Sequence, residues 1–216
     1  MKHHDIVKLC AASLRTFLND KHGIKLKSGH AHEIVAAFLG YKSAISLRQD
    51  MQCPISNLDQ AEYIVFDTPT LLVEQRIKDL EGLPADFPPS YILAEAIYSV
   101  LVAQEGMVEK LWPTFRDLAI YLAEQPIHEK LRMLGIKPDS LQWLIDVKGG
   151  TTEDGLRMAV AFDQPIEGGK RSSYANVDIT LSCMAGRIGY GRADILPTFY
   201  SGQMRDPDFR LKLGIS

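Results

Sequence analysis

With 216 residues, 46% of them hydrophobic and 24% charged, the chain has the makings of one large core or two small ones, and its composition excludes disorder throughout. No apolar run approaches the roughly 18 to 20 residues of a membrane span. Met1-Lys-His-His-Asp-Ile6 lacks the basic-then-apolar layout of a secretory signal, so the expectation is a cytoplasmic protein without a membrane partner.

Ile6, Leu9, Cys10, Leu14, Phe17 and Leu18 repeat at helical spacing and predict a first helix over about 2–19, closed by Gly23. Lys27-Ser-Gly-His-Ala-His-Glu-Ile-Val-Ala-Ala-Phe-Leu-Gly-Tyr-Lys-Ser43 reads as a second helix, with Ser28 as its cap, Ile34, Val35, Phe38 and Leu39 inward, and Gly40 after its end. Ser43 then caps a short helix to about Asp50. Glu62–Asp67 predicts a short strand. Thr68-Pro69 opens a helix in the favoured cap-then-proline order, and a strongly apolar helix follows from Ser90 to about Gln104. Helical patterns continue over 113–124, 127–134 and 140–147. After Gly149-Gly150 the period becomes two: 156–162, 174–184 and 188–196 read as strands of an antiparallel meander, with Val177, Ile179, Leu181 and Cys183 on one face. The expected class is α+β. Its expected parts are a helix-turn-helix-like module over 1–55, a mainly helical region over 56–150 and a β region over 151–216, the last two packed as one.

Charge divides unevenly. Residues 1–50 hold eight Lys/Arg against four Asp/Glu, and residues 51–150 hold eight against fifteen. A basic head on an acidic body suits an anionic partner for the head. Ala36 and Gly40 stand four apart, as in a DNA-reading helix-turn-helix, but the apolar position six further on falls on Ser46, with Ile45 one short. The candidate nucleic-acid contacts are Lys25, Lys27, His30, His32, Lys42, Ser43 and Arg48: cations for phosphate, and imidazoles at a helix N-terminus that favours anions.

The patterns for chemistry are incomplete. His32-Glu33 would begin HExxH, yet Ala36 stands where the second histidine belongs, so no metal site is expected there. Cys10, Cys53 and Cys183 form no CxxC pair and read as free thiols, not as a zinc set. The glycines of Gly186-Arg-Ile-Gly-Tyr-Gly-Arg192 lie between strands, so they serve a bend or close packing and not a dinucleotide. No catalytic residue and no cofactor are assigned.

The segment His30-Ala-His-Glu-Ile-Val-Ala-Ala-Phe-Leu-Gly-Tyr-Lys-Ser43 resembles a short helical element of glyoxalase-related bacterial proteins. More widely, Asn57-Leu-Asp-Gln-Ala-Glu62, Leu80-Glu-Gly-Leu-Pro84 and Ala185-Gly-Arg-Ile-Gly-Tyr-Gly191 look like uncharacterised proteins carried on plasmids and integrative elements. That resemblance implies an accessory role on a mobile element and supplies no catalytic residue. The reading is a non-enzymatic protein that binds nucleic acid, or a complex containing it, through the basic N-terminal module. The alternatives are a protein-interaction module with a protein partner, or a hydrolase using His30, His32 and Glu33. Oligomeric state stays open.

Overall fold

The computed structural model describes residues 6–67, 69–137, 143–152, 154–165 and 171–200, without the side chains of 164, 165, 171 and 172. The class is α+β, as the patterns predict. Two compact units divide the chain: residues 1–114 with 183–192, and residues 115–182 with 193–216. The division falls after Thr114, between the boundaries near 55 and 150 that the change of pattern suggests.

In the first unit, α1 (Ile6–His22), α2 (Ser28–Phe38), α3 (Ala44–Gln49), α4 (Thr70–Asp79) and α5 (Ser90–Val102) surround one core. The centre is α2, which packs on α1, α3 and α4. Its run Ile34 to Leu39 is buried all round, which is why this helix reads as apolar on every side. Four strand segments complete the unit. β1 (Tyr63–Val65) pairs in parallel with β2 (Leu111–Trp112) and antiparallel with the start of β6 (Gly189–Phe199), Ile64 lying opposite both Leu111 and Gly189. The end of β5 (Arg171–Ala185) is the neighbour of β6.

The second unit sets α6 (Phe115–Met133) against β3 (Leu144–Thr151) and β4 (Gly155–Pro165), in the strand order β6-β5-β4-β3. Leu156, Met158, Val160 and Phe162 of β4, and Val177, Ile179 and Leu181 of β5, are buried, while Arg157, Asp178 and Thr180 between them are exposed. The alternation predicted for these strands is present.

Two expectations need correcting. The separate helices over 113–124 and 127–134 are one helix that carries Pro126 inside it. Proline lacks one amide, but Leu122, Ala123, Ile127 and Leu131 are buried on both sides of it, and burial of that stripe outweighs one missing bond. The helix over 140–147 is not found in its described part, where Leu144 to Thr151 is β3, paired residue for residue with β4. Residues 140–142, Thr68 and residues 166–170 lie outside the described residues.

Candidate ligand-binding cavity

The α2–α3 connection is built around a close approach. Gly40 has φ +85 and follows two hydrogen bonds that close the helix, from its own N–H to Ala37 O at 3.0 Å and from Tyr41 N–H to Ala36 O at 2.9 Å. A Cβ on Gly40 would lie 2.5 Å from the Cβ of Arg187, in the β5–β6 turn. Gly186 makes the same kind of approach on its other side, since a Cβ there would meet Ile55 Cδ1 at 2.9 Å. The turn is tied down by Gly186 N–H to Cys53 O at 2.7 Å and Arg187 N–H to Leu39 O at 3.3 Å. The glycines that resemble a nucleotide loop are therefore packing glycines.

Ser43 caps α3 as predicted, in a reciprocal box with Ser46: Ser46 N–H donates to Ser43 Oγ, and Ser43 N–H to Ser46 Oγ, both at 3.1 Å. Its hydroxyl belongs to that cap. Ser28 does not cap α2. The helix begins one residue earlier, with Lys27 in the cap position and no side chain on its first amides. A carboxylate from elsewhere caps α3 as well: Glu33 Oε2 accepts the Ala44 N–H at 3.0 Å and Arg76 Nε at 3.1 Å, and pairs with Arg76 Nη2. Burial pushes the Glu33 carboxyl up, but Arg76 and the Ala44 amide outweigh it and hold the group below its ordinary value. Glu33 is thus a bracket between α2, α3 and α4, and not chiefly a partner for the dipole of its own helix. Glu74 does the same for α5, accepting Ser90 N–H at 2.7 Å.

Within the first unit a cavity of about 730 Å³ opens beside the first turn of α2. Its apolar wall is wholly aliphatic, from Ile6 and Val7 of α1, Leu47 of α3, Pro54, Ile55 and Leu58 after it, and Met107 beyond α5. Ser28 and Gly29 line it from the uncapped turn, and a Cβ on Gly29 would meet nothing within 4 Å. His32 and Arg48 stand beside that turn. His32 Nδ1 lies 2.8 Å from Ser28 O. A carbonyl can only accept, so Nδ1 carries the proton and Nε2 keeps its lone pair in the neutral ring.

The wall also holds four carboxylates, Glu33, Asp50, Asp59 and Glu105, and the cation Lys8. Glu33 is already paired. Asp50 accepts Tyr41 Oη–H at 2.6 Å and the amides of Gln52 and Cys53, both at 3.0 Å. Burial raises the Asp50 carboxyl, yet these donors bring it below its ordinary value. In return, burial and Asp50 push the Tyr41 hydroxyl far up, fixing it as a donor.

No family model, no curated protein and no solved structure matches the chain. Of the predicted contacts the cavity gathers His32 and Arg48 alone. Lys25 and Lys27 are exposed before α2, Lys42 is exposed in the α2–α3 turn, and His30 is half-buried away from the cavity lining. Among the described residues, no group of three or more His, Cys, Asp or Glu is placed to hold a metal ion, and no helix is long and apolar enough to cross a membrane. Local patterns do not mark Arg76, Asp50, Ile55 or Met107, which reach the site through the tertiary fold. The one legible signal was the Lys27–Ser43 segment.

Proposed function

We propose that the first unit is a binding module for a small amphipathic anion with an aliphatic body and a carboxylate or phosphate head. The cavity carries this reading: its volume lies within the range of small-molecule sites, and its wall combines aliphatic side chains with polar groups, among them Ser28, Gly29 and His32 of the first turns of α2. Support for a negative head comes from the uncapped amides of α2 and from Arg48. Of the four lining carboxylates, Glu33 and Asp50 are held by donors of their own, and Lys8 and Arg48 set two lining cations beside Asp59 and Glu105. The aliphatic wall removes the body from water at about 25 cal/mol per Å².

Calorimetric titration with decanoate and decyl phosphate tests the reading, with decanol and decyltrimethylammonium as neutral and cationic counterparts. Both anions should bind, decanol should bind roughly tenfold more weakly, and Arg48→Gln should cost the anions a similar factor without changing decanol. If neither anion binds, or the ammonium binds as well as they do, the proposal is wrong.

A second reading, nucleic-acid binding, is favoured by the exposure of Lys25, Lys27 and Lys42 around α2 and the turn that follows it. Phosphate contacts by these lysines would give an affinity that falls steeply with salt. A gel-shift titration of the full chain at low salt should show a complex, weakened by Lys25→Glu, Lys27→Glu and Lys42→Glu together. Absence of a shift at low salt, or a shift the triple variant leaves unchanged, removes this reading and leaves the first untouched. An accessory role on a mobile element is compatible with either ligand.

A further inference from the structure

We propose that Cys53 and Cys183 are a redox pair, closing to an intramolecular disulfide when the chain meets a peroxide. The two lie far apart in sequence, but one turn brings them together. Gly186 N–H donates to the Cys53 carbonyl at 2.7 Å, and the Cys183 thiol donates to the Gly186 carbonyl at 2.8 Å. Cys53 is fixed from its other side, its N–H donating to Asp50 Oδ1 at 3.0 Å. The Cys53 thiol is close enough to Cys183 to add to burial in raising the Cys183 thiol. They are also unequally accessible, since Cys53 is buried and Cys183 half-buried. An oxidant therefore meets Cys183 first, with Cys53 behind it as the resolving thiol.

The chemistry balances with hydrogen peroxide as oxidant. The Cys183 thiolate attacks one peroxide oxygen, the O–O bond breaks, and Cys183 becomes a sulfenic acid as hydroxide leaves and takes up the thiol proton as water. The Cys53 sulfur then attacks the sulfenic sulfur, the S–O bond breaks, and a second water departs. Two thiols and one peroxide give one disulfide and two waters.

Burial pushes the Cys183 thiol up to about 12, so its thiolate is scarce at neutral pH and the first step is slow beside that of an exposed cysteine. The second step is intramolecular between neighbouring groups, which favours the disulfide over further oxidation of Cys183. Cys10, on the buried face of α1 and 1% exposed, has its own thiol held up to about 12 by burial. It serves as an internal control.

The test uses the full chain, incubated in native buffer with hydrogen peroxide, alkylated after unfolding and mapped as peptides without reductant. The expected product is a Cys53–Cys183 linked peptide that disappears on adding dithiothreitol, with Cys10 recovered alkylated. Cys10→Ser should leave the link intact, and Cys183→Ser should abolish it. Recovery of both Cys53 and Cys183 as free thiols overturns the proposal. So does Cys183 as sulfinate with Cys53 untouched, or disulfides formed only between chains. The wild-type map decides even if a cysteine variant fails to fold.

Discussion

Gly40→Ala should destabilise the first unit by about 3 kcal/mol. Two independent costs add there. A non-glycine residue at φ +85 costs roughly 1–2 kcal/mol, and a Cβ placed 2.5 Å from the Arg187 Cβ must push a tied turn aside, for roughly another 1–3 kcal/mol. The turn has little room to move, because the Arg187 and Gly186 amides are bonded to Leu39 and Cys53. Urea unfolding followed by far-UV circular dichroism measures the loss. A midpoint shift worth less than about 1 kcal/mol would show that the Gly40–Arg187 approach is not tight. In an Arg187→Gly background the same substitution should cost only the backbone part, so the double-mutant cycle separates the two terms.

Glu33→Gln should cost about 2 kcal/mol near neutral pH. Glu33 and Arg76 have side chains 21% and 24% exposed, which places the pair between a surface bridge of about 0–1 kcal/mol and a buried one whose breaking costs about 3–5 kcal/mol. The amide can still accept from Ala44, but it withdraws the negative charge that Arg76 is held against. The sign with pH follows from linkage. Because the folded carboxyl lies below its ordinary value of 4.5, the unfolded chain binds its proton first as pH falls. The stability that Glu33 supplies is therefore complete above about pH 5–6 and is lost as pH drops through the folded value. The gap between wild type and Glu33→Gln should narrow in acid and stay level from neutral to mildly alkaline pH. A gap that widens in acid would assign the carboxylate a different partner.

The sequence made local order legible wherever one face alone is buried. The alternation of Val177, Ile179 and Leu181, the stripe of Leu14 and Leu18, and Ser43 as the cap of α3 all show in short windows. It misled where two periods agree: the apolar residues Leu144, Ile145 and Val147 satisfy both a helix stripe and a strand, and pairing with β4 decided for the strand. Pro126 misled for the opposite reason, a strong local breaker overruled by the burial of Ile127 and Leu131. Ser28 was read as a cap on residue type alone, whereas the backbone of Lys27 already takes the cap geometry. The cavity was the least legible part. Its wall is drawn from α1, α3, the segment over 54–59 and the residues after α5, and no window of sequence holds them together.

The strands β5 and β6 run through both units, and residues 183–192 supply Ala185 and Ile188 to the core around α2. During synthesis the ribosome delivers all five helices of that core long before this piece emerges. Until residue 192 clears the exit tunnel, Gly40 has no Arg187 beside it, and the Cys53 and Leu39 carbonyls have no amides from the turn. The apolar surface that Ala185 and Ile188 cover in the finished unit has no cover from that segment until then, and exposed apolar surface favours aggregation. Severing the chain after Thr114 would remove Ala185 and Ile188 from that core for good.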